Sequence, residues 1–422
     1  MMHFLKANAW LALVVAALTG VLVMLVDPAP PREITLATGA EGGAYERFGR
    51  LLAERLAEDG LAVNLRPTRG SVENLDLLLA ENNDVAIALV QTGLDAREGT
   101  DALQALGAVF PEPVWIFHRR DMRLGSLREL RGRRVAVGTP GSGTRPVALA
   151  VLAANGLTED AVEVLDLGGE VAAQAVIDGE ADALFLVSAA AGALVDELVH
   201  DPRLTFHGLR RRAAYEARFR QMKILSIGEG QLDLAANLPE APRDMLAAAA
   251  TLVVNDRFHP GLAPLILHAA SDVLATGGSL ARPGAFPAAG PVDFPLTREA
   301  THYYKYGLPF LMRYVNFWTA SMFDRVIIYA IPLLIMLFPV FKVAGPLYRW
   351  QTRRRIFRWY KHLREIDQRL RTGRIRETLD EDIRNLEALQ DEILSVNVPL
   401  SYTDELYELH LHVDWVIGRL RG

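Results

Sequence analysis

Residues 135–157, VAVGTPGSGTRPVALAVLAANGL, read as a short apolar strand, a glycine-rich turn and a helix. They decide the fold because the same order stands about a hundred residues earlier, where residues 35–53 run TLATGAEGGAYERFGRLLA. Gly138 and Gly141 follow Gly39 and Gly42 at an offset of 99, and Gly169-Glu170-Val171 follows Gly70-Ser71-Val72 at the same offset. Asp182 follows Asp84 at 98. Four coincidences at nearly one offset argue for two related half-domains.

Working outward, each half alternates strand and helix, the pattern of an α/β fold with a mainly parallel sheet. The first half predicts strands at 33–38, 62–66 and 84–89 and helices at 44–58 and 71–80. The second predicts strands at 133–138, 162–167 and 181–187 and helices at 144–155 and 170–178. An apolar strand at 114–118 leads into the second half, and KILSIGEGQLDLA at 223–235 reads as the chain crossing back. Helical stretches at 241–254 and 260–274 then complete the first lobe. Residues 277–295, rich in Gly, Pro and Ala, read as a surface loop, and the aromatic-rich 298–323 returns to a helical pattern.

Composition narrows the function. The chain has 422 residues, enough for two or three compact units. It is 50% hydrophobic, high for a purely soluble protein. A net charge of −6 gives no field that argues for nucleic acid. With no cysteine, thiol catalysis, iron–sulfur clusters, Cys-based zinc sites and disulfides are excluded.

Two apolar stretches approach the roughly 20 residues that cross a bilayer. The first spans 9–26 and ends in Val26-Asp27-Pro28, a poor cleavage context, so it reads as an uncleaved anchor. The second spans 326–344 and carries Pro332 and Pro339, which membrane helices tolerate. Lys342, Arg349, Arg353, Arg354, Arg355, Arg358 and Lys361 follow it, and such cations mark the cytoplasmic flank. The expected organisation is a cytoplasmic start at 1–8, an anchor at 9–26 and an outer solute-binding domain at 32–322. A second span at 326–344 and a cytoplasmic helical segment at 347–422 follow. Within the outer domain, lobe 1 takes about 32–118 and 225–322, and lobe 2 about 119–224.

In open α/β sheets ligands sit beyond the carboxyl ends of the strands, where helix N-termini favour anions. Each half offers such a turn, with Gly42, Gly43 and Tyr45 in one and Gly141, Ser142, Gly143, Thr144 and Arg145 in the other. Glycine lets the backbone approach a ligand, the hydroxyls donate, and Arg145 or Arg69 could fork a carboxylate. Residues 138–145 depart from a phosphate-binding P-loop, because Thr144 stands where Lys belongs and Arg145 where the metal-binding hydroxyl belongs. Pro140 breaks the serine-hydrolase elbow, and His410 and His412, two apart on a helix, do not share a face. No enzyme constellation, cofactor site or metal site is expected.

Residues 35–53, 69–91 (RGSVENLDLLLAENNDVAIALVQ), 135–157 and 177–188 (IDGEADALFLVS) carry a resemblance to a known family. They resemble the TAXI solute-binding proteins of tripartite ATP-independent periplasmic (TRAP) transporters, in particular the subset with a C-terminal membrane helix. The resemblance implies a two-lobed type II periplasmic-binding fold and a small carboxylate cargo such as glutamate or 2-oxoglutarate. It implies Tyr45, Ser71, Asn74, Gln91, Ser142 and Thr144 as ligand contacts, and transporter membrane subunits as partners. The chain departs from the pattern in placing Arg69-Gly70 before Ser71, and in lacking an acidic residue within Val90-Gln91-Thr92-Gly93.

The expected function is therefore periplasmic binding of a small anionic solute by a protein of the bacterial inner membrane, with delivery to a TRAP-type transporter. The tail keeps a second reading open. Apolar residues recur at helical spacing from Ile356 to Leu370, Ile375 to Ile393 and Leu406 to Leu420, as in a small bundle. A receptor that signals ligand closure to these helices would use them, whereas cargo delivery does not obviously require them.

Overall fold

A computed structural model describes residues 28–94, 99–190, 192–371, 379–395 and 403–421, with isolated positions between 13 and 21. The expected start at 1–8 and anchor at 9–26 thus lie almost wholly outside the described residues. The chain divides into a unit of residues 28–321 and a unit formed by 1–27 with 322–422.

In the larger unit the repeat appears as two sheets of one design. In the first, β1 (Glu33–Ala37) lies between β2 (Ala62–Arg66) and β3 (Val85–Gln91), both parallel to it. In the second, β5 (Arg134–Ala136) lies between β6 (Glu163–Leu165) and β7 (Ala183–Val187), again parallel. Each strand pair is joined through a helix: α1 (Ala44–Glu58) and α2 (Ser71–Leu79) in the first half, α3 (Thr144–Ala154) and α4 (Gly169–Ile177) in the second. α5 (Ala193–His200) follows β7, with β8 (Leu204–Phe206) and α6 (Arg212–Arg218) beyond it.

Two long strands tie the halves together. Residues 104–113 of β4 (Gln104–Arg119) pair with residues 247–254 of β10 (Arg243–Val254), which also pairs with β3. Residues 114–119 of β4 pair instead with β7 and β8, and residues 243–247 of β10 pair with β9 (Lys223–Ile227). The result is a two-lobed α/β architecture with two strand crossings, in the order β2-β1-β3-β10-β4-β7-β5-β6. This is the two-lobed arrangement expected from the sequence.

Two sequence expectations are corrected here. Residues 241–254 are not helical. Ala247 to Ala250 have strong helix propensity, but the segment is an interior strand of the first sheet, between β3 and β4. Every residue from Met245 to Val254 is buried, and small side chains suit a strand covered on both faces. The return crossing is also not at 223–235. Ile227 packs in the second lobe with Trp115 and Met245, so the chain crosses back within β10.

Sheet faces define the cores. Phe48, Leu52 and Leu56, one face of α1, pack on the first sheet with Ile266 and Leu267 of α7 (Ala263–Val273). Each such side chain contributes about 1.5–3 kcal/mol on full burial. Leu75 and Leu78 of α2 cover the opposite face. The second sheet is covered by Val147, Val151 and Leu152 on one side and by Ala172, Val176, Val195 and Leu198 on the other. α8 (Arg298–Tyr306) then ends at Gly307, whose φ of 76° suits glycine, so the helical pattern expected over 298–323 is interrupted.

The remaining helices are long. α9 (Phe317–Arg371) runs through Pro332, Pro339 and Pro346. Its stretch Phe317–Pro339 is, among the described residues, the one helix long and apolar enough to cross a membrane, and it begins nine residues before the expected 326. The smaller unit has a core of its own, in which Trp359 and Leu363 of α9 pack with α10 (Leu379–Ser395) and α11 (Thr403–Arg421). Leu386, Ile393, Leu409, Val413 and Val416 complete it.

Candidate functional site

The carboxyl ends of both parallel strand sets open on one cleft of about 510 Å³, a size suited to a small organic ligand. Five helices begin there: α1, α2, α3, α4 and α5, with N-caps Gly43, Gly70, Gly143, Gly168 and Gly192. None of these five caps supplies a side-chain acceptor to its helix. A Ser or Asp cap would satisfy a first-turn N–H itself. Glycine leaves that group to a ligand, and each helix end carries about half a positive charge. In α2 one such group is taken by the other lobe, since Glu73 N donates to Gly141 O at 3.4 Å.

The first-lobe wall carries a continuous hydrogen-bond chain. Tyr45 Oη donates to Glu112 Oε2 at 2.8 Å and lies 3.1 Å from Ser71 Oγ. With the tyrosine proton on Glu112, Ser71 donates to Tyr45, and Ser71 Oγ in turn accepts from Gln91 N at 3.0 Å. Gln91 Nε2 then reaches across the cleft to Gly143 O at 2.7 Å. A Cβ on Gly143 would stand 2.2 Å from Gln91 Oε1, so this approach requires glycine. Tyr45, Ser71, Gln91 and Glu112 are all buried.

Burial away from water raises the carboxyl of Glu112 to a pKa of about 8. Burial, and then the charge of Glu112, push the Tyr45 hydroxyl well above its usual range. Arg69 is exposed and held on the Glu73 carboxylate at 2.8 Å, which lowers the Glu73 pKa.

Of the residues expected at the site, Gly42, Gly43, Tyr45, Arg69, Ser71, Gln91, Ser142, Gly143 and Thr144 line the cleft. Three do not. Asn74 lies beneath it, fully buried, where Nδ2 donates to Thr38 O at 2.6 Å and Leu89 O at 2.7 Å. Its Oδ1 accepts from Thr68 Oγ1 at 2.7 Å, so both amide hydrogens and the oxygen are engaged in holding the turn. Gly141 touches the first lobe through its carbonyl. Arg145 turns to an ion pair with Asp166. The lining hydroxyls of the second lobe are partly committed as well: Ser142 Oγ donates to Thr139 O, and Thr144 Oγ1 accepts from Val187 N.

Sequence reasoning missed Glu112 and the second-lobe segment from Leu186 to Leu194, of which Leu186, Val187, Ser188, Gly192, Ala193 and Leu194 line the cleft. A signal for Glu112 was present: an acid between Pro111 and Pro113 inside an apolar strand pattern. Among the described residues no group of three or more His, Cys, Asp or Glu is arranged to hold a metal ion.

A family model described as the NMT1-like family matches residues 36–216, from β1 to α6. Among solved structures the chain is similar to the periplasmic aliphatic sulphonate binding protein SsuA from Escherichia coli. That match has 14% identity and a TM-score of 0.39, over 58% of this chain and 73% of that one. It is also similar to MatC from Rhodopseudomonas palustris with bound malate, at 13% identity and a TM-score of 0.41, over 58% and 86% of the two chains. An ancestral arginine-binding protein bound to arginine matches at 14% identity and a TM-score of 0.34, over 59% and 95%.

Proposed function

We propose that the cleft binds a small anionic organic solute, a carboxylate or an amino acid such as glutamate or 2-oxoglutarate, and that the protein delivers it to a TRAP-type transporter. The observation that carries the binding reading is the set of five glycine-capped helix N-termini opening on one cleft. Their summed field favours negative charge. Gly42, Gly43, Tyr45, Arg69, Ser71, Gln91, Ser142, Gly143 and Thr144 are the proposed contacts. The transporter partner rests on the resemblance of residues 35–53, 69–91, 135–157 and 177–188 to TAXI proteins. Anchoring in the inner membrane, with the α/β unit in the periplasm, is supported by the apolar helix Phe317–Pro339 and the cations after it.

The full-length protein in detergent is expected to gain thermal stability with at least one member of a panel of L-glutamate, 2-oxoglutarate, malate and succinate. No response to any carboxylate or amino acid would count against the reading. A receptor role is favoured by one observation, the separate core of the helical unit. Deletion of 347–422 separates the two: unchanged uptake supports transport, and intact binding with a lost cellular response supports signalling.

A further inference from the structure

We propose that Glu112 is the acceptor for a cationic end of the solute, so that the cleft selects ligands carrying an ammonium group beside their carboxylate. This rests on the reading of the cleft as a solute site and narrows its ligand class.

Glu112 sits where β4 leaves β10 for β7, between Pro111 and Pro113. Neither proline has an N–H, so the adjacent backbone cannot solvate the carboxylate. The residue is 3% exposed yet lines the cleft. Its Oε2 accepts from Tyr45, and Oε1 has no hydrogen-bond partner among the described residues. A buried carboxylate is normally paired with a cation or several donors. Here the one Lys or Arg among the described lining residues is Arg69, which is exposed and bonded to Glu73.

Tyr45 of α1 donates to Glu112, Ala248 of β10 pairs with it, and apolar Leu186 and Val187 of β7 line the same cleft. Around the rest of the cleft lie Glu41, Arg69 and Glu170. The anionic end of a ligand is met by five helix N-termini, while no counter-charge pairs with Glu112 among the described residues. A zwitterionic ligand supplies both.

The rival chemistry is a neutral Glu112 donating its proton to a ligand carboxylate, and the two have opposite pH signs. Free Glu112 titrates near 8. An ammonium ligand requires the ionised form, so affinity rises with pH, by up to about tenfold between pH 6 and 7, and levels off above the free pKa. A ligand held by the protonated form weakens as pH rises through that value.

The test is calorimetric titration of the full-length protein in detergent at pH 6, 7 and 8, using matched pairs: L-glutamate and glutarate, L-aspartate and succinate, L-leucine and 4-methylpentanoate. The expected result is at least about 100-fold tighter binding of the amino member of one pair, tightening with pH, and loss of that preference in Glu112→Gln. A des-amino member that binds as tightly, or an affinity that falls from pH 6 to pH 8, overturns the proposal and leaves the solute site standing. Failure of every compound overturns both. The pH slope of the unsubstituted protein decides the matter even if Glu112→Gln does not fold.

Discussion

The two walls of the cleft are built on one design and spend it differently. Matched from their caps, the second residue of α1 is Tyr45 and that of α3 is Arg145; the first residue of α2 is Ser71 and that of α4 is Gly169. The fourth residue of α2 is the buried amide Asn74, and that of α4 is the buried Ala172. The first wall thus carries a network of buried side chains that ends on Glu112, whereas the second presents mainly backbone, with the hydroxyls of Ser142 and Thr144 partly committed within its own lobe. Under the proposed function, the contrast assigns reading of the ligand's functional groups to one lobe and the field that favours its charge to both. A repeat fixes where helix ends point, and the first side chains after each cap decide what they recognise.

The contrast is open to attack in order of expected effect. Asn74→Ala removes a buried amide that bonds Thr38 O, Leu89 O and Thr68 Oγ1, of which the first and last keep only their bond to each other and to Gly70 N. It should cost about 3 kcal/mol or more in denaturant unfolding, because several buried groups each lose a partner. Trimming α4 at its matching position removes no polar contact, so Ala172→Gly should cost only about 1 kcal/mol, a helix-propensity effect.

Acid should affect the second wall's lobe through His207, buried against Leu124 O, where desolvation pushes its pKa down to about 4 from a usual 6.5. A folded-state value below the unfolded one favours the neutral form, so this stability is full above about pH 6.5 and is lost as pH falls toward 4. The difference is worth about 3 kcal/mol at most. Hydrogen exchange at β8 should report the loss between those pH values, and His207→Gln should flatten it.

Tyr45→Phe removes the link between Ser71 and Glu112 and should cost about 1–2 kcal/mol in stability, with weaker ligand binding in the same titrations. Arg145→Ala breaks a solvent-facing pair with Asp166 and should change stability by no more than about 0.5 kcal/mol. Ser142→Ala should be smaller still in stability, since Ser142 is only half-buried and its hydroxyl bonds within its own turn. If Ser142→Ala or Arg145→Ala abolished binding while Tyr45→Phe did not, the division of labour between the walls would be reversed.

What the sequence disclosed follows from which signals are local. α1 and β2 occupy 44–58 and 62–66 as read, because an amphipathic period bounded by glycines sets them. The repeat offset of 99 was visible, yet the caps stand 100 apart for α1 and α3 and 98 apart for α2 and α4. Small insertions in the turns shift the register that matters for side chains, and this hid the mismatch between Tyr45 and Arg145. β10 was read as helix because alanine propensity is local, whereas its place between β3 and β4 is set by pairings more than a hundred residues away. Glu112 was overlooked for a similar reason: only the closing of the lobes around β4 turns an acid between prolines into the floor of a cleft. Asn74 shows the converse, a polar residue correctly placed near the site whose bonds all go to the scaffold.

Hydrogen exchange of the full-length protein with and without a saturating carboxylate or amino acid tests the central claim most directly. Ligand held by the helix ends should slow exchange in the first turns of α1 and α3, at residues 44–47 and 144–147, on both walls at once. Saturating binding that leaves those two turns unprotected would contradict it.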